Sequence, residues 1–275
     1  MLTFVNVIWG ARCGKTARRV LLGETRTRGH AYSVRRRRES ACDRQAPHRL
    51  KSPRLVSTNL LDLWVDQWRL KKATGDVIIV RYADDAVLGF QHREDAMRLL
   101  RELQKRMAKF GLELHPEKTR LIEFGRFAAE RRNARGEGSP ETFNFLGFTH
   151  ICGTRRTTGT FTILRITISK RMAAKLRQIH AELRRRTHDP LAETVKWLKS
   201  VVGGYFQYHA IPGNEKRLGA FRKTVLRLWL RQIRRRSQRN RWTWDRFLER
   251  LGSLLPEVSV LHPYPNVRFD ARHPR

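Results

Sequence analysis

Two adjacent aspartates, Asp84 and Asp85, interrupt an otherwise apolar stretch between Val77 and Phe90. β-Branched and aromatic residues are enriched on both sides of the pair, which predicts two short strands joined by a tight bend. Neighbouring carboxylates repel each other, so their presentation at the end of a buried strand indicates a bound divalent cation. Mg²⁺ prefers carboxylate oxygens, and two such ions about 4 Å apart can hold both oxygens of a phosphoryl transfer. The alternative is that both aspartates are ordinary turn residues, which are often acidic.

Hydrophobic periodicity divides the rest of the chain into helices and strands. Spacings of three and four predict helices over Leu60–Lys72 and Ala96–Phe110, whereas the charged, glycine-containing stretch Ala128–Pro140 is predicted to be a loop. Short β-rich runs predict strands at Leu121–Phe124, Phe143–Thr149 and Phe161–Ile168. Beyond Ser169, four amphipathic helices are expected, with apolar positions that begin at Met172, Leu191, Leu218 and Trp242.

The segment Val77–Phe90, with Tyr82-Ala-Asp-Asp85 at its centre, resembles the Tyr-X-Asp-Asp signature of reverse transcriptases in the form used by group II intron reverse transcriptase/maturases. Further similar segments follow in the family's order: Pro116–Thr119 with Leu121–Gly125, then Phe143–Phe148, then Val201–His209 with Trp229–Arg231. The similarity runs from about Leu61 to the C-terminus. An ordered set of motifs is more specific than any single match.

This resemblance implies an α+β fold, in which the C-terminal part of a reverse-transcriptase palm (a β-hairpin, a helix and short strands) precedes an all-α thumb/maturase domain. We assign residues 58–168 to the partial palm and residues 169–275 to the helical domain. Residues 1–57 contain 14 Lys or Arg against 3 acidic residues and lack a sustained period. They are therefore expected to be a disordered basic segment without family resemblance.

The resemblance also implies roles for individual residues. Asp84 and Asp85 would be the catalytic ligands of Mg²⁺ in an RNA-directed DNA polymerase. The residues expected to contact substrate or primer are Tyr82, Ala83, Lys118, Phe145, Leu146 and Gly147. Lys118 would neutralise or protonate the pyrophosphate leaving group, although an exposed surface lysine is an equal alternative. On sequence alone, the segment Phe145–Phe148 is also explained as ordinary apolar strand.

The charge of the chain indicates a polyanionic partner. Its 275 residues include 58 Lys plus Arg against 25 Asp plus Glu, for a formal net charge of +33. Such a charge fits RNA or DNA, with affinity that falls as salt rises. From Lys170 to Arg250 there are 22 basic and 6 acidic residues. A solvated helix face is the alternative, but it usually mixes both signs. The densest basic clusters, predicted to bind RNA, are Arg184, Arg185, Arg186, Arg234, Arg235 and Arg236.

One feature of the family pattern has no counterpart in this sequence. A palm of this kind takes another metal-binding aspartate from an earlier strand and needs a fingers region. None of the upstream carboxylates lies in a matching segment: Glu24, Glu39, Asp43, Asp62, Asp66 and Asp76. The chain is therefore expected to be an N-terminally truncated member that lacks the fingers and the first half of the palm. Three hypotheses stay open: an active polymerase with maturase function, a non-catalytic intron-RNA-binding maturase fragment, and an inactive remnant.

The remaining features of the sequence indicate where the protein is located and what it binds. Cys13, Cys42 and Cys152 are odd in number and widely spaced, which favours a reducing compartment. No apolar run is long enough to predict a membrane span. We expect a cytoplasmic bacterial protein, with an organellar location as the alternative because the first residues are arginine-rich. The expected partners are group II intron RNA, an RNA/DNA template–primer and deoxynucleotides, and the sequence leaves monomer and dimer open.

Overall fold

The computed structural model describes residues 4–9, 53–83, 85–155, 158–236, 242–264 and 267. The chain folds into two compact units, residues 1–139 and residues 140–275. Within the described ranges, no helix is both long enough and apolar enough to cross a bilayer.

The first unit is built on a four-stranded sheet with the order β2-β3-β1-β4. Strand β1 is parallel to both β3 and β4, and β2 is antiparallel to β3. Helix α1 packs against β2, and helix α2 packs against β1 and β3. The elements are β1 Phe4–Trp9, α1 Pro53–Lys71, β2 Val77–Tyr82, β3 Asp85–Phe90, α2 Arg93–Ala108, β4 Arg120–Glu123 and α3 Ala128–Ala134.

Apolar side chains of the two long helices and the sheet form the core of this unit. Phe90 at the end of β3 is fully buried and meets the edge of Trp68 from α1, with ring centroids 6.3 Å apart. Leu99 and Leu103, one turn apart on α2, are fully buried in the same cluster. Five consecutive residues of β3, Ala86–Phe90, are buried. Because both faces of the strand are enclosed, its sequence is continuously apolar and does not alternate between apolar and polar residues.

Two sequence expectations for this unit are wrong. Residues 4–9 were expected to be disordered, yet they form β1, with Val7 and Ile8 buried at 0% and 2% exposure. The strand receives its hydrogen bonds from β3 and β4, which a local pattern cannot show. Residues 10–52 lie outside the described part of the chain. The predicted loop over Ala128–Pro140 contains the short helix α3, whose first residue, Ala128, is buried.

The second unit joins a three-stranded antiparallel sheet, order β5-β6-β7, to a set of helices. Its helical core includes Leu198, Val202, Phe221 and Trp229, each at most 1% exposed. The elements are β5 Phe143–Phe145, β6 Phe148–Thr154, β7 Phe161–Thr167, α4 Ser169–Arg185, α5 Leu191–His209, α6 Glu215–Arg235, α7 Trp244–Leu251 and the 3₁₀ turn Gly252–Leu254.

The compact units divide the chain between Ser139 and Pro140, upstream of the boundary that the sequence placed near Ser169. Buried Asn214 explains why β7 stays with the helices. Its side-chain oxygen accepts from the Thr167 amide at 3.0 Å, and its side-chain nitrogen donates to the Thr167 hydroxyl and the His209 carbonyl, each at 2.8 Å. Asn214 thus joins the end of β7 to α5 and to the start of α6.

Candidate functional site

The acidic bend lies at one end of the β2–β3 hairpin. Strand β2 ends at Tyr82, strand β3 begins at Asp85, and these two residues face each other across the antiparallel pair. Ala83 and Asp84 therefore connect the strands. Asp84 lies outside the described residues. Tyr82 is 41% exposed and Asp85 is partly buried, so the end of the hairpin is open to solvent on the tyrosine side.

Ala83 adopts a left-handed backbone conformation with φ 51°. For a residue with a Cβ atom this costs roughly 1–2 kcal/mol relative to a right-handed conformation. A neighbouring side chain holds the bend: Arg81 Nη1 donates to the Ala83 carbonyl at 2.9 Å. The same guanidinium forms a bidentate ion pair with Asp62 on α1: Nε donates to Oδ1 at 2.9 Å and Nη2 donates to Oδ2 at 3.0 Å. Helix α1 therefore fixes the bend through Arg81.

Lys118 approaches the sheet at the same end as Asp85. Strand β1 pairs Phe4 with Asp85 on one side and Asn6 with Arg120 on the other, in parallel register. Lys118 precedes Arg120 by two residues and so enters the sheet at the end where Asp85 lies. Two strand spacings separate β3 from β4, or about 10 Å. This places Tyr82, Ala83, Asp85 and Lys118 at one end of one sheet.

The strand beside the acidic bend adds no carboxylate. The sequence of β1 is Phe-Val-Asn-Val-Ile-Trp, and Asn6 is the only one of these residues whose side chain contains an oxygen atom that could bind a metal ion. Across the described ranges, no group of three or more His, Cys, Asp or Glu side chains is arranged to hold a metal ion. Mg²⁺ in phosphoryl-transfer sites commonly uses one or two carboxylates together with substrate phosphates. The two aspartates predicted from the sequence, Asp84 and Asp85, agree in number with such a site, and Asp85 lies at the start of β3.

The second predicted segment forms the tight turn between β5 and β6. Phe145 and Phe148 face each other across the pair and are 7% and 4% exposed. Leu146 and Gly147 connect them with φ 47° and φ 84°, the two positive values of a type I′ hairpin turn. Three predicted primer residues therefore lie together in the second unit. Phe145 is a buried residue of β5, and Leu146 and Gly147 form the turn that follows it.

The cluster Arg184–Arg186 contains two exposed arginines and one that is half-buried. The Arg185 side chain is 82% exposed, although it pairs with Glu182 at 3.3 Å, and Arg184 is also exposed at the end of α4. Arg186 makes more intramolecular contacts: it pairs with Glu182 at 2.8 Å and with Asp189 at 3.4 Å, and its guanidinium lies 5.1 Å from the centroid of Trp197. Arg184 and Arg185 are therefore the two members most accessible to a polyanion.

The second cluster, Arg234–Arg236, is similarly mixed. Arg234 Nε donates to the Trp242 carbonyl at 2.8 Å, and Arg236 Nη2 donates to the Arg186 carbonyl at 3.3 Å. All three residues are exposed. Arg235 has no hydrogen bond of this kind to another described residue.

Three residues near these sites had no role assigned from sequence: Asp62, Arg81 and Tyr208. Arg81 comes directly before the Tyr82-Ala-Asp-Asp85 motif in the sequence, and this position could have suggested that it supports the bend. Asp62 and Tyr208 gave no such signal, because each acts on a partner that is distant in sequence. Tyr208 Oη donates to the Leu146 carbonyl across 62 residues of chain, at 2.7 Å.

Comparison with protein families agrees with the geometry of the first unit. Residues 52–150 match the reverse transcriptase (RNA-dependent DNA polymerase) family model. The matched region is 99 of the 275 residues, and it contains the acidic bend, Lys118 and the Phe145–Phe148 turn. At the family level, the match supports RNA-directed DNA polymerase activity, a nucleotidyl transfer. None of the curated proteins compared with the chain matches it.

The predicted fold class is confirmed. A mixed α+β region with the matched segment precedes a region dominated by helices, as expected for a reverse-transcriptase palm followed by a helical domain.

Proposed function

We propose that this chain is a group II intron reverse transcriptase/maturase that carries out RNA-directed DNA synthesis and binds intron RNA. The observation that supports the first activity most strongly is the Tyr-Ala-Asp-Asp bend, which lies at the same sheet end as Lys118 within the family match. A primer 3′ hydroxyl would attack the α-phosphate of a deoxynucleotide, with loss of pyrophosphate. Catalysis of this kind depends on positioning and on stabilising charge.

The residues at the bend have distinct roles in this proposal. Asp84 and Asp85 are the residues that would hold Mg²⁺, and the ion would supply neutralisation of the charge that develops on the phosphates. Tyr82, exposed beside Asp85, packs against the primer terminus. Lys118 neutralises the pyrophosphate that leaves. The Phe145–Gly147 turn holds the primer end.

Intron RNA would bind to the helical part of the second unit. Support comes from the excess of basic residues between Lys170 and Arg250 and from the exposure of Arg184, Arg185 and Arg235. Contacts of this type give affinity and position rather than sequence selection. We propose a cytoplasmic location in a bacterium, where such a protein meets its intron transcript.

Primer extension on an RNA template tests the polymerase activity. The full chain should incorporate deoxynucleotides in the presence of Mg²⁺, and the double variant Asp84→Ala, Asp85→Ala should lose incorporation. Asp76→Ala is the matched control, because Asp76 is an exposed aspartate before β2, at the opposite end of the same hairpin. Incorporation that survives the double substitution would show that the bend is not the active site.

A second candidate function is favoured by one observation: β1, the strand beside the bend, supplies no carboxylate. In this case the chain acts in splicing by binding intron RNA without polymerisation. It would then show no primer extension, while its affinity for intron RNA would be the same in the wild type and in the double aspartate variant. A chain that does neither would be an inactive remnant.

A further inference from the structure

Leu146 is in an unusual conformation at a position with a predicted role. Among the described residues, Ala83 and Leu146 are the non-glycine residues with positive φ, and each lies in a turn that carries predicted site residues. Left-handed backbone is unfavourable for leucine because its Cβ atom crowds the following carbonyl. Strained residues persist where surrounding contacts hold them, and they are concentrated at functional sites.

Tyr208 supplies the contact that holds Leu146. Its hydroxyl donates to the Leu146 carbonyl at 2.7 Å, and its ring stacks on Phe148 with a centroid distance of 5.7 Å and an angle of 16°. The tyrosine therefore contacts both ends of the turn, from helix α5. The residue is still 45% exposed, so the contact lies at the surface of this unit.

Arg171 approaches the same turn at Gly147. A Cβ atom built on Gly147 would be 3.3 Å from Arg171 Nη1 and 3.6 Å from Tyr208 Cε1, so both side chains approach the glycine closely. Arg171 is exposed, on the first turn of α4. An exposed guanidinium beside a tight backbone turn suits a phosphate of a nucleic-acid strand, because it can donate two parallel hydrogen bonds.

We propose that Tyr208 is a positioning residue that holds the Leu146–Gly147 turn in its left-handed conformation, and that Arg171 binds a phosphate of the strand that this turn contacts. The inference rests on the proposed function, in which the turn holds the primer end. Tyr208 acts through the Leu146 carbonyl, whereas Arg171 touches the nucleic acid itself. Helix α4 would thus contribute directly to primer binding, and helix α5 would contribute through the turn.

The variant Tyr208→Phe removes one hydroxyl and keeps the ring that stacks on Phe148. Affinity of the full chain for an RNA/DNA hybrid with a recessed primer 3′ end, followed by fluorescence anisotropy, should fall about three- to tenfold, as expected for one lost hydrogen bond. Tyr264→Phe is the matched control, because it removes a hydroxyl from another exposed tyrosine of the same unit, and it should leave affinity unchanged.

A double-mutant cycle with Leu146→Gly separates the positioning role from direct contact. Glycine adopts positive φ without the steric conflict of leucine, so the turn no longer needs the hydroxyl. Tyr208→Phe should then weaken binding less than twofold in the Leu146→Gly background. An equal loss in both backgrounds would overturn the positioning role, since the hydroxyl would then act on the nucleic acid directly.

Arg171 is tested by salt dependence. Arg171→Gln should weaken binding of the recessed hybrid and lower the slope of log affinity against log salt by about 0.7–0.9, one phosphate contact, while Arg171→Lys should restore part of that slope. An unchanged slope in Arg171→Gln would overturn the phosphate contact.

Comparison of two probes distinguishes failure of this inference from failure of the proposed function. If the wild type binds the recessed hybrid no better than single-stranded RNA of equal length, primer recognition fails, and this inference fails with it. If the wild type prefers the hybrid and Tyr208→Phe binds it equally well, the inference alone fails. Loss of affinity for the hybrid without loss for single-stranded RNA is the result that supports it.

Discussion

Arg81 makes three hydrogen bonds that join helix α1 to the bend after β2. Its guanidinium meets both carboxylate oxygens of Asp62 and the carbonyl of Ala83, all within 3.0 Å, and its side chain is only 15% exposed. The guanidinium group is planar, and three hydrogen bonds made at the same time leave it little freedom to rotate. Rigidity at this point matters because the two aspartates follow directly after Ala83.

The variant Asp62→Asn should reduce the stability of the first unit by about 1–2 kcal/mol, because it leaves the mostly buried Arg81 without its charge partner. Asp66→Asn is the matched control, one turn along α1, where Asp66 pairs with Arg69 at 3.0 Å near the surface. Urea unfolding monitored by circular dichroism gives both values. Equal effects of the two variants would contradict a special role for Arg81.

His209 is the residue whose protonation should couple stability to pH. Burial lowers the pKa of its imidazole, the positive charge of Arg171 lowers it further, and a hydrogen bond with the Tyr205 carbonyl offsets part of this effect. Its ring stacks on Tyr205 with centroids 4.0 Å apart. The folded state therefore prefers neutral His209, whereas the unfolded chain should titrate near the usual 6.5.

The sign of the pH dependence follows from that difference. As pH falls through about 6.5, the unfolded state takes up a proton that the folded state binds poorly, so stability decreases. The thermal midpoint of the wild type should fall between about pH 7.5 and about pH 5.5, and His209→Phe should show a smaller decrease. His188→Gln, at an exposed position, should keep the wild-type dependence. A steeper fall in His209→Phe than in the wild type would be the contrary result.

At the scale of elements, β1 is the strand that completes the first sheet. It lies between β3 and β4, pairs with β3 over all six residues and pairs with β4 from Asn6 to Trp9, so the two strands would be separated without it. Val7 and Ile8 bury their side chains in adjacent positions. Alternating side chains of a strand point to opposite faces, so both faces of the sheet are covered at this strand.

The variant Ile8→Ala should destabilise the first unit by about 2–4 kcal/mol, whereas Ile8→Val should cost about 1 kcal/mol. The physical reason is the loss of buried methyl and methylene groups, with a larger cavity after the larger deletion. Chemical unfolding of both variants provides the comparison. If Ile8→Ala were as stable as the wild type, the position of β1 in the centre of the sheet would be wrong.

At the scale of the whole molecule, the net charge of +33 is not uniformly available to a partner. Arg186 pairs with two carboxylates and lies over Trp197, while Arg184 and Arg185 at the same helix end are exposed. Arginines of the first kind stabilise the fold. In the proposed function, those of the second kind would release counterions when RNA binds, and this release would make the affinity depend on salt.

The double variant Arg184→Gln, Arg185→Gln should lower the salt slope of RNA binding by about 1–2, with little change in unfolding free energy. Arg186→Gln should behave in the opposite way, with a loss of about 1–2 kcal/mol in stability and a smaller change in slope. Binding titrations between about 50 and 200 mM salt, together with urea unfolding, measure both quantities. Identical behaviour of the two variants would remove the distinction.

Much of the local structure was predictable from the chain. Apolar residues at Val77–Val80 and Ala86–Phe90, interrupted by Asp84 and Asp85, determine a hairpin because strand-forming residues flank residues suited to a turn. Apolar spacings of three and four likewise determine α1, α2 and the later helices. The hairpin, the helices and the identity of the residues at the acidic bend follow from these local patterns, whereas the α+β fold with a palm and a helical domain was implied by the resemblance to reverse transcriptases.

Only the tertiary structure decided what lies around the two turns. The pairing of β1 with β3, the ion pair of Asp62 with Arg81 and the hydrogen bond of Tyr208 to Leu146 join residues that are 19 to 81 positions apart. A short sequence window carries no information about such partners, because the free energy that selects them comes from burial and hydrogen bonding in the assembled fold. Local pattern therefore determined which residues form the bends, and long-range packing decided what holds each bend in place.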